Sequence, residues 1–195
     1  MLPSHTIEVY RPEIRDQVEE FRELTFQEGN ISLSHDKFNP DNFDGQIWVL
    51  FVDNKLVSLS ACEASHYTSD PEIAARLVRL HTLKQYRATA FGMSFLPYQL
   101  KWCKEQGFKV LWWSLDVNNV GLNAIYQGRR KSVYTPHKEG YETWWKDLIW
   151  DQSILFQVDP RSDLLQYVYY FILEDGYKWK PKSNMISRRW RPVSS

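Results

Sequence analysis

Residues 85–92 read Gln85-Tyr86-Arg87-Ala88-Thr89-Ala90-Phe91-Gly92 and run directly into the segment from Met93 to Gly107. A strand that breaks into a turn of small residues and then opens a helix aims several backbone N–H groups at one point. The positive end of the helix dipole lies behind them, and such a point attracts phosphate. Small side chains let the backbone itself approach the anion. The first chemistry this chain suggests is therefore a grip on a phosphorylated ligand. Other chemistries find less support. The five histidines show no metal-ligand spacing, and no Ser-His-Asp or Cys-His arrangement stands out. Cys62 and Cys103 sit in apolar settings, Ser60-Ala61-Cys62 and Lys101-Trp102-Cys103. That setting suits buried reduced thiols, and two cysteines make no disulfide framework.

The elements around this segment follow from periodicity and punctuation. Ile7-Glu8-Val9-Tyr10 alternates apolar and polar residues, as a half-buried strand does. Pro12 then opens a helix whose apolar face is Ile14, Val18, Phe21 and Leu24, and Gly29-Asn30 ends it. Residues 32–44 read as loop, with a short helix near His35-Asp36-Lys37-Phe38. Residues 46–52 and 56–63 are strands joined at Asp53-Asn54-Lys55, a hairpin. Residues 65–71 are loop and 74–82 a strand. Residues 93–106 read as a helix, with Pro97 near its start and Gly107 as its C-terminal cap. Residues 108–115 are strongly β-prone, and 117–127 read as a helix after a turn at Asn118-Asn119. Two more strands, 154–158 and 165–173, flank a turn at Asp159-Pro160-Arg161-Ser162-Asp163. The order predicts an α/β (α+β) fold: a mixed sheet with helices on both faces.

Composition sets the bounds. A chain of 195 residues favours one domain and can bury about 70% of the surface its unfolded form exposes. Lys+Arg and Asp+Glu both number 24, so no global charge draws it to nucleic acid or an anionic membrane. Met1-Leu2-Pro3-Ser4-His5 lacks a basic region followed by an apolar run, and no apolar stretch reaches membrane-span length. The expectation is a cytoplasmic protein without nucleic-acid or membrane partners. Its domain is read as residues 1–179, and 180–195 as a basic polar tail.

With these elements in order, the chain resembles the GNAT superfamily of acyl-CoA-dependent N-acyltransferases over roughly residues 7–127. That family's cofactor loop reads Gln/Arg-x-x-Gly-x-Gly/Ala, usually after a Tyr. Tyr86-Arg87-Ala88-Thr89-Ala90-Phe91-Gly92 matches it in the Tyr, the Arg and the last Gly, and departs at Ala90. The second motif is an Asn after the next strand with a Tyr seven residues later, matched by Asn119 and Tyr126. The resemblance implies a mostly antiparallel central sheet and acetyl-CoA as cofactor. Leu80, His81 and Thr82 would meet the pantetheine arm by strand addition. Arg87, Ala88, Thr89, Ala90, Phe91, Gly92 and Met93 would surround the pyrophosphate, with Asn119 as a further cofactor residue. Tyr126 would protonate the leaving thiolate. The reaction implied is acetyl transfer to a primary amine by direct attack in a ternary complex, and the family admits a homodimer.

The base is left open by the residues. Strand 74–82 carries no acid where many family members have one. Histidine as a residue type titrates near neutrality, which makes His81 one candidate; Glu63, which ends the hairpin, is another, and a water relay needs neither. Beyond residue 127 the likeness fades. Gln127-Gly128-Arg129-Arg130-Lys131 replaces the usual continuation, and an insert follows with Tyr141, Trp144, Trp145 and Trp150. Residues 127–179 form a divergent part, and its aromatic-rich insert covers either the acceptor site or a partner surface, or else fills the core beneath it. Ala90 and the acid-free strand also admit a second reading, a degenerate GNAT fold that binds coenzyme A or a partner without catalysis. An aminoacyl-transferring relative is a third.

Overall fold

The computed structural model describes residues 4–30, 32–35, 37–65, 73–89, 91–116, 119–122, 150–159 and 164–179. Its strands are β1 (His5–Val9), β2 (Gly45–Val52), β3 (Lys55–Ala64), β4 (Ala74–Thr82), β5 (Val110–Asp116), β6 (Trp150–Asp159) and β7 (Leu164–Ile172). Its α-helices are α1 (Arg15–Gln27) and α2 (Leu96–Glu105). The strands form one sheet in the order β1-β2-β3-β4-β5-β7-β6. The β1–β2, β2–β3, β5–β7 and β6–β7 pairs are antiparallel, and β4–β5 is parallel. The mixed, mostly antiparallel sheet expected from the sequence is the observed one.

The chain divides into two compact units, 1–63 with 77–95, and 64–76 with 96–195. In the first, the alternation of β2 buries Ile47, Val49 and Phe51 with Val18 and Phe21 of α1 and with Ile14 of the 3-10 turn before it. These spacings were legible because a helix repeats every 3.6 residues and a strand every two. The β2–β3 hairpin turns at Asp53 and Asn54, both with positive φ (50° and 62°). Short polar side chains tolerate that conformation, and its twist matches the strands. Gly45 permits a close approach that no other residue could. A Cβ there would lie 2.1 Å from the Cys62 carbonyl oxygen and 3.0 Å from Glu63 Cα. In the second unit, Trp112 and Tyr170 pack with Ala74 and Val110, and Trp179 closes over Trp112 and Tyr170. Cys62 and Cys103 are buried free thiols, and burial pushes the Cys103 thiol up.

Several element boundaries differ from expectation: β1 runs His5–Val9 instead of 7–10, and β6 runs Trp150–Asp159 instead of 154–158. The helix expected from Met93 begins as α only at Leu96, after a 3-10 stretch over Phe91–Phe95. An α-ladder starting at Met93 would need a donor from Pro97, which has none. The short helix expected at 35–38 is a single turn onto the Ser34 carbonyl; the 3-10 helix is at Pro40–Asn42. Asn39 accepts there from the Asp41 N–H at 3.1 Å, and Pro40 suits a first helical position. Of the helix expected over 117–127, Val120 to Leu122 are helical among the described residues. Trp150, assigned to the insert by its composition, opens β6.

Candidate functional site

The end of β4 and the loop after it form the candidate site. Leu83 N–H bonds to the Val57 carbonyl of β3 at 3.0 Å. Backbone direction alternates along a strand, so Arg79 and His81 face β3 as well. Their carbonyls accept from Ser60 and Ser58 at 2.9 and 2.8 Å. Val78, Leu80 and Thr82 face the opposite edge. The β4–β5 register covers Ala74–Arg76 and ends there. On that edge the Val78 carbonyl accepts from the Arg79 guanidinium and the Thr82 carbonyl from Arg87 Nε, at 2.7 and 2.9 Å. Leu80 is therefore the position whose backbone groups a strand-like ligand could meet.

After Thr82 the chain makes a 3-10 turn over Lys84–Thr89, then the stretch Phe91–Phe95 that leads into α2. The first amides of a helix have no acceptor within it, and Phe91 and Gly92 are the first two residues of this 3-10 stretch. Gly92 does not need a positive φ. A Cβ there would make ordinary contacts at 3.5 Å with Leu80 and Thr82. The side chains of Phe91, Met93 and Phe95 are buried, so residues 91–93 offer backbone rather than side chains. Ala88 and Thr89 belong to the 3-10 turn, while Ala90 lies outside the described residues.

His81 has a defined protonation state. The Asn30 amide nitrogen lies 2.5 Å from His81 Nδ1, and Ser32 Oγ lies 2.8 Å from Nε2. Ser32 N–H and Oγ–H both donate to Asn30 Oδ1, at 3.0 and 2.8 Å. This fixes the amide orientation: its NH₂ donates to Nδ1, so Nδ1 is unprotonated and Nε2–H donates to Ser32. The ring closes on itself, and a second proton on Nδ1 would face the amide hydrogens. Burial, then the charges of Arg79 and Arg87, push the pKa down to about 4. The unfolded chain takes up this proton below about pH 6.5, and the folded chain only near pH 4. Stability is therefore complete above about pH 6.5 and declines between about 6.5 and 4, by at most ~3 kcal/mol. Urea midpoints against pH measure this slope. The slope should flatten in His81→Gln, and an unchanged slope there would refute the assignment.

The sequence-derived candidates separate as follows. Leu80, His81, Thr82, Arg87, Ala88, Thr89, Phe91, Gly92 and Met93 share the first unit and one stretch of chain. Arg87 is engaged internally, with Nη2 3.0 Å from Glu28 Oε2. Glu63 is half-buried near the end of β3, opposite Gly45. Asn119 acts as a helix cap, accepting from the Leu122 N–H at 3.4 Å. Tyr126 and the Arg129-Arg130-Lys131 run lie outside the described residues, as do Tyr141, Trp144 and Trp145. Sequence reasoning missed Glu28, Asn30 and Ser32, which hold the end of β4. Their signal is weak: only Glu28 stands out, because a helix C-terminus disfavours a carboxylate.

No family model matches the chain, and no curated protein does. Solved structures do. A GNAT-family acetyltransferase from Streptococcus pneumoniae aligns at TM-score 0.60 and 13% identity, covering 87% of this chain and 99% of that one. A putative acetyltransferase from Salmonella typhimurium, solved with its cofactor acetyl-CoA, aligns at 0.61 and 9%, covering 89% and 96%. The ribosomal-protein-S18-alanine N-acetyltransferase from Escherichia coli aligns at 0.54 and 10%, covering 90% and 100%. At such identities the likeness is one of fold. Together with the strand order and the loop between β4 and α2, it establishes that this chain has the fold of the GNAT acetyltransferases.

Proposed function

We propose that the protein is an N-acetyltransferase that moves an acetyl group from acetyl-CoA to a primary amine. The observation that carries this is the pairing limit of β4. Its register with β5 ends at Arg76, which leaves Leu80 beside a loop that presents the Phe91 and Gly92 amides. An extended amide chain with a pyrophosphate at one end fits both features. Acetyl-CoA would supply the activated acyl thioester when bound. The protein's residues then have separate duties. Leu80 aligns the pantetheine amides, and residues 87–93 hold the pyrophosphate by backbone. Asn119 caps the helix on which Tyr126 is expected. The amine nitrogen bonds to the acetyl carbon as the carbon–sulfur bond breaks, and Tyr126 gives its proton to the departing sulfur. The amine's own proton goes to a base. Glu63, His81 and a water relay are the candidates for that base, and both His81 ring nitrogens already have partners. Arg129, Arg130 and Lys131 add positive charge for the 3′-phosphate or an acidic acceptor. A cytoplasmic location and a homodimer complete the proposal. Among the described residues no helix is long and apolar enough to cross a membrane.

Binding is tested first. Acetyl-CoA at a hundredfold excess over its Kd should stabilise the fold by about 2.7 kcal/mol and raise Tm by roughly 5–10 °C. No shift at saturating cofactor would end the coenzyme A assignment. The internal engagement of His81 and Arg87 favours one alternative, a coenzyme A-binding module without catalysis. Thiol release from acetyl-CoA across a panel of amines, peptides and polyamines separates the two. Binding without amine-dependent release supports the module.

A further inference from the structure

We infer that Glu28, the residue that closes α1, is a positioning residue for the loop after β4; its role in binding rests on the coenzyme A reading of that loop. Both carboxylate oxygens accept from the Lys84 N–H, at 2.9 and 3.0 Å. Glu28 Oε2 also accepts from Arg87 Nη2 at 3.0 Å, and Arg87 Nε in turn donates to the Thr82 carbonyl at 2.9 Å. Lys84 and Arg87 stand three residues apart in the 3-10 turn Lys84–Thr89, so they share one face of it. Lys84 N–H is a first-turn amide with no acceptor inside the helix. Glu28 supplies that acceptor from another element, as an N-cap side chain would. The turn is thereby held at its start and along its flank.

The placement is unfavourable locally. Glu28 sits at the C-terminal end of α1, its own N–H bonded to the Leu24 carbonyl, where the helix dipole repels an anion. Its compensation comes from residues 56 and 59 positions later. The carboxylate is mostly shielded, its side chain 22% exposed against 51% for Arg87. Two further residues of the same stretch, Asn30 and Ser32, hold His81. Glu28, Asn30 and Ser32 thus grip β4 and the loop at Lys84, Arg87 and His81. Glu28 also offsets the Arg87 charge, so the backbone amides of the loop, not the guanidinium, carry its anion affinity.

Wild type, Glu28→Gln and Glu28→Ala are compared by amide hydrogen exchange without ligand and by calorimetric titration with acetyl-CoA. In Glu28→Ala, exchange over residues 84–92 should quicken, and acetyl-CoA affinity should fall about tenfold, the scale of a lost hydrogen bond to a charged group. The KM for acetyl-CoA should rise with it while kcat stays within about twofold, the pattern of lost uniform binding. Glu28→Gln keeps an acceptor for Lys84 and should fall between. Unchanged exchange in Glu28→Ala overturns the clamp. Faster exchange with unchanged affinity overturns its part in binding. Absence of acetyl-CoA binding by wild type overturns the coenzyme A reading itself, whatever the variants show.

Discussion

Replacing Tyr126 by Phe is expected to lower kcat at least about 10²-fold, the usual scale of a positioned acid, and to leave the acetyl-CoA Kd within about twofold. The substitution removes one hydroxyl and keeps the ring. In the proposed transfer the carbon–sulfur bond would break as the carbon–nitrogen bond forms, and the departing sulfur would carry the negative charge until a proton reached it. Stabilisation needed only at that moment affects kcat and kcat/KM together. Single-turnover acetyl transfer with calorimetric cofactor affinity makes the measurement. A kcat within twofold of wild type would remove Tyr126 from the mechanism. A matching rise in Kd would make it a binding residue instead.

The second large effect concerns stability. Arg22→Leu is expected to cost ~3–5 kcal/mol, the range for breaking a buried charged network. Arg22 is 5% exposed and lies on α1 beside the apolar stripe. Its Nε donates to the Leu33 carbonyl at 2.8 Å, its Nη2 to the Phe38 carbonyl at 2.9 Å, and its Nη1 to Glu19 at 2.8 Å. Three acceptors lose their donor at once, and buried unsatisfied groups are costly. The loop that carries the two carbonyls also receives Arg79, whose Nη2 donates to the Lys37 carbonyl at 3.1 Å and whose guanidinium lies over the Phe38 ring. Arg22→Lys should recover only part of the loss, because one ammonium cannot span two carbonyls as a planar fork does. Urea unfolding decides: a cost below about 1 kcal/mol for Arg22→Leu would mean the loop finds other partners.

Arg22 shows where reading the sequence stopped. Val18 and Phe21 announce their burial by apolar type and spacing, while Arg22, next in the chain, is read by type as exposed. Its burial depends on two carbonyls 11 and 16 residues away, and nothing local signals that meeting. The two 3-10 stretches show the same limit. Pro97 was visible near the helix start, yet the helix type before it depends on how Phe91 and Phe95 enter the core. Glu28 was locally an anomaly, and only the fold shows what it serves.

Local sequence was enough to locate the strands, α1 and α2 to within a few residues, the mixed sheet, and the small-residue turn before α2. Those follow from periods of 2 and 3.6, from glycine and proline, and from capping residues, all of which act over a few neighbours. Tertiary structure alone decided three things about the site: the pairing of β4 with β5 ends at Arg76, His81 is closed within a ring with Asn30 and Ser32, and Glu28 holds the loop. Each joins residues more than 30 positions apart in the chain. Such contacts form only after the chain has collapsed, when backbone direction and desolvation, rather than residue type, select the partner.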